Sequence, residues 1–314
     1  MGNTGLRQSR LTLLGFGNVG RELTRLLSAR RDWLTSRGVA FPVTGVANRT
    51  TANVLDFIRS VPADIVVEMT PLRVDLRGEP AIAHVRAALE AGRHVVSANK
   101  GPVAWAYRDL DRLARSAGKQ FLFEATVMDG TPVFSLARHT LPGCRVIAGR
   151  GVLNTTTNYV LGRMAEGVGL DEAVREAQAG GFAEADPSLD LDGWDAALKI
   201  TCVTNVLMGL DLRPEDVERT GIRGITPEDI AREAARGRVW KLVAEASGAP
   251  QPLARVRPEA LPATDLLALV DGTSSALTLT TDLMGPITVF EHSPSLAQTA
   301  YGVFRDLLEI AGVG

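Results

Sequence analysis

The sequence is poor in cysteine. Cys144 and Cys202 are the only two in 314 residues. They lie far apart and outside any CxxC spacing, so neither a disulfide framework nor a zinc site is indicated, and a reducing, cytoplasmic setting is expected. Charge of one sign is lacking too. The net charge is −2, which leaves no basic field for nucleic acid and no acidic tail. No apolar run reaches the ~18 residues a membrane helix needs. The opening MGNTGLRQSR has no long apolar core, so no secretory signal is expected. Gly2 after Met1 resembles the start of a myristoylation site, but Leu6 stands where that motif has Ser or Thr. Internal repeats and low-complexity linkers are absent.

What is present is a chain that is 45% hydrophobic, enough for two domains with cores of their own. In the first third, short apolar runs alternate with helical patterns. Strands are expected at 11–14, 42–47, 65–68, 94–97 and 120–124, and helices at 18–31, 53–60, 79–91 and 104–117. That rhythm predicts βαβ units and a parallel, doubly wound α/β sheet. Gly92 and Gly118 fall where a helix C′ glycine belongs. After Ala125 the texture changes. A strand is expected at 145–153, helical patterns from 171 to 246, strands at 277–281 and 287–290, and a last helix at 297–311. The proline-rich stretch 250–262 reads as a surface connection. The expected division is a dinucleotide-binding domain at 1–125 and a mixed α/β substrate domain at 126–295. The tail from about 296 to 314 is expected to pack back on the first.

Gly15-Phe16-Gly17-Asn18-Val19-Gly20 follows an apolar strand and opens a helix. In that context GxGxxG has a mechanism. Gly15 makes the tight turn, Gly17 lets the backbone approach a pyrophosphate, and Gly20 lets helix and strand pack closely. The helix N-terminus presents free N–H groups to the phosphates. About 20 residues further on, a carboxylate marks NAD selection. Here the second strand runs into Asn48-Arg49-Thr50 instead. Arg49 is suited to the 2′-phosphate of NADP; a solvated loop arginine is the other reading.

Three further segments carry chemistry. Ser97-Ala98-Asn99-Lys100 ends a predicted parallel strand, where open sheets bind ligands; Lys100 is either near the nicotinamide or simply solvated. In the segment 151–159, six side chains from Asn154 to Tyr159 carry hydroxyl or amide groups. They read as a small polar-substrate loop, with Asn154 and Thr156 as contacts, or as a capped strand-to-helix turn. The third segment holds Glu184, Asp186, Asp190, Asp192 and Asp195, followed by Lys199. Asp195 and Lys199 share a helix face. Phe182, Leu189, Trp194, Ile200 and Val203 around them imply a buried setting. A buried carboxylate cluster needs a cation, which Lys199 or a substrate ammonium would supply.

Together these segments resemble the homoserine dehydrogenases. The resemblance runs from Leu11 to about Leu308. It rests on GFGNVG, HVVSANKGPVA, EATVMDGTPV, GVLNTTTNYVL, GGFAEADPSLDLDGWDAALK and GIRGIT, in that order. It implies NAD(P)-dependent interconversion of L-homoserine and L-aspartate 4-semialdehyde, on the route to threonine, methionine and isoleucine, by an enzyme that is commonly a homodimer. It implies Lys199 and Lys100 as the catalytic pair, Asp195 orienting Lys199, and Glu184 and Asp190 holding the substrate. It extends the cofactor site to Thr70 and Ser97. It implies a sodium or potassium site from backbone oxygens of Glu124, Val127, Asp129 and Thr131. Lys199 is favoured as the proton carrier, although the two lysines can exchange roles.

There are departures. Thr155 replaces a family glycine, and the cation loop reads Val127-Met128-Asp129-Gly130. The family's glycine-rich loop before the last helix is matched by Glu291-His292-Ser293-Pro294-Ser295, where Glu291 would repel phosphate and mobility is expected. No regulatory extension follows, so feedback through a C-terminal domain is not expected. Two other readings stand beside the enzyme: a catalytically impaired nucleotide-binding homologue acting as a sensor or partner subunit, and a dehydrogenase of another small amino or hydroxy acid.

Overall fold

The computed structural model describes residues 6–248 and 253–313. Gly2 and the first residues of the 250–262 stretch lie outside them. The chain enters through a short strand, β1 (Arg7–Gln8), and then β2 (Leu11–Leu14), buried at every position. Helix α1 (Asn18–Ala29) follows, then α2 (Arg31–Ser36), and β3 (Val39–Ala40), which pairs with β1. Next come β4 (Val43–Ala47), α3 (Val54–Ser60), β5 (Ile65–Glu68) and α4 (Ala81–Glu90). The series ends with β6 (His94–Ser97), α5 (Gly101–Ser116) and β7 (Phe121–Leu122).

Strands β2, β4, β5, β6 and β7 form a parallel sheet in the order β4-β2-β5-β6-β7. From β2 the chain moves to β4 on one side, then crosses to β5 on the other. That reversal opens a crevice at the C-terminal ends of β2 and β5, where doubly wound sheets bind ligands. Strand β7 is shorter than its apolar pattern predicts, because Glu124 turns into a 3₁₀ segment at Glu124–Thr126.

By its contacts the chain divides after Ser135, and the residues from Ser295 onward belong with the first unit. Glu124 explains why this unit reaches past residue 125. Its buried carboxylate accepts hydrogen bonds from Val133, Phe134 and Ser135 N–H at 2.6, 2.8 and 2.9 Å. Those groups head helix α6 (Phe134–Thr140), where an anion complements the free N–H groups. Arg305 adds a cation at 3.2 Å.

The second unit begins with β8 (Val146–Val152), α7 (Thr155–Ala165), α8 (Leu170–Ala179), α9 (Ser188–Leu191) and α10 (Trp194–Leu207). It continues through β9 (Glu218–Arg219), α11 (Pro227–Ala234), β10 (Arg238–Ser247) and β11 (Leu253–Pro262), and ends with β12 (Ser275–Thr281) and β13 (Gly285–Glu291). Its six strands run β13-β12-β8-β10-β11-β9, antiparallel except for β9 beside β11.

Two expectations are corrected here. Residues 238–246 are strand, not helix. In the sheet interior Lys241, Leu242, Val243 and Ala244 are all buried, so no alternation marks them as strand. Residues 253–262 are strand, not a surface connection. Pro258 is tolerated because β9 covers β11 only at Arg255 and Val256, leaving the rest of that edge unpaired, and an edge proline need not donate.

Helix α12 (Leu296–Ile310) returns to the first unit. Ala300, Val303, Phe304 and Leu307 recur at helical spacing and are buried with Leu23 and Leu27 of α1. Truncating Phe304 to Ala would cost roughly 3–5 kcal/mol. Ser295 caps the helix in a capping box with Gln298.

Candidate functional site

In the first unit a cleft of about 850 Å³ opens at the ends of β2, β4 and β5. Gly15 sits at φ +86°, and a Cβ there would meet the Met69 carbonyl oxygen at 2.5 Å. Only glycine makes this turn. A Cβ at Gly17 would meet nothing within 4 Å, so the backbone is open toward the cleft at the head of α1. Phe16 and Asn18 line the cleft as well. Val19 and Gly20 lie behind it, in the first turn of α1.

The end of β4 is a built turn. Asn48 Oδ1 accepts from the Thr50 N–H at 2.9 Å and from the Thr50 hydroxyl at 2.6 Å. Asn48, Arg49, Thr50 and Thr51 all line the cleft, and so does Arg21. The Arg21 guanidinium bonds Asn18 Oδ1 at 2.6 Å and the Phe16 carbonyl at 3.3 Å. The sequence pattern did not single out Arg21; its position one turn into the helix, over the glycine turn, is what brings it to the cleft.

Thr70 is a cleft residue. Ser97 and Lys100 do not line it. Ser97 is buried, its hydroxyl bonded to Asn99, and Lys100 caps α5. Between them, Asn99 donates to the Thr70 carbonyl at 3.0 Å and accepts from Gly101 N–H at 2.9 Å. The Ser97-Ala98-Asn99-Lys100 segment thus fastens the end of β6 to the end of β5.

The loop after Glu124 packs backbone against backbone on α12. A Cβ at Gly130 would lie 2.2 Å from the Gln298 carbonyl, and one at Gly302 would lie 2.8 Å from the Asp129 carbonyl. Asp129 itself is left-handed (φ 43°), and its carboxylate accepts from Thr299 at 2.6 Å. The Asp129 carbonyl therefore faces Gly302.

In the second unit the polar loop and the acidic segment converge. Asn154 caps α7 with Oδ1, accepting from Thr157 N–H at 2.8 Å. Its Nδ2 donates to Asp190 Oδ1 at 2.7 Å and to Asp195 Oδ2 at 2.9 Å. The Thr156 hydroxyl stands 2.9 Å from Asp190 Oδ2. Lys199 Nζ bonds the Leu153 carbonyl at 2.7 Å and lies 3.2 Å from Asp195 Oδ2. Burial pushes the Asp190 carboxyl above the ordinary carboxylate range. The Asp195 charge adds to this, while Asn154, Thr156 and Lys199 oppose it.

The uniformly buried acidic segment is not what forms. Glu184, Asp186 and Leu189 are exposed, and Asp192 pairs outward with Arg223 at 2.6 Å. Packing selects Asp190 and Asp195 from five similar carboxylates. Arg219 stacks 3.6 Å over Trp194 and bonds the Asp192 carbonyl, fixing the entry to α10.

A glycine turn at a Rossmann switch point and an Asp-Asn-Asp-Lys cluster at the head of a buried helix match a known sequence family over most of the chain. Residues 132–308 match the family described as homoserine dehydrogenase, and residues 15–124 match its NAD binding domain. The chain belongs to the homoserine dehydrogenase family. An NAD(+)-dependent homoserine dehydrogenase of Pseudomonas canavaninivorans is 33% identical, over 97% of each chain. A homoserine dehydrogenase of Methanocaldococcus jannaschii is 31% identical, over 96% of this chain and 98% of the relative. The crystal structure of a putative homoserine dehydrogenase from Archaeoglobus fulgidus superposes with a TM-score of 0.88 at 34% identity. It covers 96% of this chain and 99% of its own. The Archaeoglobus structure shares the α/β fold of this chain over nearly its whole length.

The stretch Glu291–Ser295 runs from the end of one strand to the cap of the last helix. Glu291 ends β13 and is buried, so it does not present a charge to phosphate at a surface. The Ser293 N–H bonds the Ser274 hydroxyl at 3.2 Å, and Ser295 is already the cap of α12. Among the described residues, no helix is long and apolar enough to cross a membrane.

Proposed function

We propose that this protein is a homoserine dehydrogenase, interconverting L-homoserine and L-aspartate 4-semialdehyde. The observation that carries the reading is the cluster of Asn154, Asp190, Asp195 and Lys199: a lysine amino group whose position is fixed by a carboxylate and a carbonyl, beside a second, half-buried carboxylate. In the oxidation direction Lys199, as the neutral amine, takes the proton lost by the substrate hydroxyl and becomes the ammonium, and Asp195 orients it. Asp190 and Glu184 hold the substrate ammonium, and Thr156 and Asn154 hold Asp190. Lys100 supplies an electrostatic contact to the reacting oxygen. The turn Gly15-Phe16-Gly17 would hold the pyrophosphate of a nicotinamide dinucleotide, Asn48 and Arg49 would hold its ribose, and the cofactor would supply hydride acceptance. NADP is preferred over NAD. Backbone oxygens of Glu124, Val127, Asp129 and Thr131 would hold a sodium or potassium ion, and the protein works in the cytoplasm as a homodimer. The unit up to Ser135, with the last helix, forms the cofactor domain, and the unit Leu136–Pro294 the substrate domain.

The test is a spectrophotometric assay of the purified protein with L-homoserine and either NAD or NADP, with and without sodium or potassium. Homoserine-dependent formation of reduced nicotinamide is the expected result, and none with either nucleotide would refute the reading.

A further inference from the structure

Glu68 ends β5 with its side chain fully buried. Oε1 accepts from the Thr70 hydroxyl and, at 3.2 Å, from the Thr70 N–H. Oε2 has no hydrogen-bond partner among the described residues. A buried carboxylate needs hydrogen-bond donors around it. The basic group at ion-pair distance is His84 on α4, whose Nδ1 lies 3.5 Å from Oε1. The sequence marks neither residue, because β5 and α4 meet only in the fold.

His84 and Thr70 both line the nucleotide cleft. His84 is buried, 5% exposed, so what it shows it shows to the cleft. Val54, Pro71 and Pro80 line the cleft beside it and give this part flat apolar walls. With the pyrophosphate on the glycine turn and the ribose at the end of β4, the base is the part of the nucleotide left for these walls. A planar base suits them, and a buried polar edge there sets which base is accepted.

We infer that His84 reads the purine base: its Nε2 accepts a hydrogen bond from the exocyclic amine of adenine, and Glu68 is the positioning residue that holds the ring proton on Nδ1. A carboxylate beside one imidazole nitrogen fixes the tautomer and leaves the lone pair on the other. Thr70 keeps Glu68 in place and is itself held by Asn99 through its carbonyl. This inference rests on the nucleotide-binding reading of the first unit.

The test compares binding of NAD with nicotinamide hypoxanthine dinucleotide, in which a carbonyl replaces the amine. Both are titrated calorimetrically into wild type, His84→Phe and Glu68→Gln. Wild type should prefer the adenine form by about three- to tenfold, the scale of one neutral hydrogen bond. His84→Phe keeps an aromatic ring, and in it the preference should vanish. Glu68→Gln should narrow it. The ratio of two ligands on one protein is insensitive to a general loss of stability, and the wild-type comparison needs no variant. Equal or tighter binding of the hypoxanthine form by wild type would overturn the inference, as would an unchanged ratio in His84→Phe, while leaving the nucleotide site intact. Failure of both dinucleotides to bind wild type would overturn both readings.

Discussion

Lys241 is a lysine inside the second sheet, 4% exposed on β10. Its Nζ donates to Asn158 Oδ1 at 2.8 Å and to the Val270 carbonyl. Burial pushes its pKa down from 10.5 to about 8, with Asp271 pulling weakly the other way. At about 1.4 kcal/mol per tenfold change in proton affinity, keeping this ammonium charged inside the fold costs about 3 kcal/mol. The unfolded chain binds the proton up to a higher pH than the folded chain does. Between the two pKa values the unfolded state therefore holds more protons, and stability rises with pH. The cost is present in full below about pH 8 and is recovered as pH rises from about 8 to about 10.5. Lys241→Met keeps the unbranched stem and removes the charge, but it leaves Asn158 and Val270 short of a donor, at about 1–3 kcal/mol each. The net effect at neutral pH is thus small or destabilising and does not discriminate. The pH dependence does. Urea unfolding of both proteins should show the wild-type-minus-variant difference moving toward wild type by about 3 kcal/mol between about pH 7 and about pH 10.5. Other titrating groups cancel in that difference. A flat difference across the range would refute the reasoning.

Three further outcomes follow from the site. Lys199→Ala should lower turnover at least about a hundredfold, the scale of general acid–base catalysis, with nucleotide binding intact; near-normal turnover would remove Lys199 as proton carrier. Glu184→Gln should raise the Michaelis constant for homoserine more than it lowers turnover, and an unchanged constant would exclude Glu184 from the ammonium contact. Arg49→Ala should weaken NADP binding about tenfold while sparing NAD, since a charge-assisted contact contributes about 1.5–3 kcal/mol and exposure pulls it to the low end. Nucleotide titrations in which both ligands lose affinity alike, or wild type holds them equally, would separate Arg49 from the 2′-phosphate.

The legible parts of the sequence are those whose structure is set locally. GxGxxG between an apolar run and a helix needs no distant partner to be read, and β2, β5 and β6 occur where their apolar runs lie. Asp195 and Lys199 are four apart on one helix and do meet, at 3.2 Å. The illegible parts are those where tertiary packing decides. Strand β10 is buried on both faces, so it loses the alternation that identifies a strand. Strand β11 keeps its prolines only because its outer edge is largely unpaired. Glu124 carries no local sign of its structural role: its buried side chain serves as an anionic cap for α6, accepting from the Val133, Phe134 and Ser135 N–H groups. His84, Arg21 and Lys241 carry no motif, and each acquires its setting from elements brought together by the fold.

The same contrast explains how one residue can join stability to chemistry. Asn154 offers an amide with two distinct ends. The oxygen caps α7, satisfying Thr157 N–H, and the nitrogen bridges Asp190 and Asp195. Two carboxylates facing each other in a half-buried site repel, and a neutral double donor between them is what lets both remain there without a second cation. A carboxylate at residue 154 would cap the helix equally well but add a third negative charge where Lys199 already serves Asp195. Helix capping alone therefore does not require asparagine at this position; the acidic pair does.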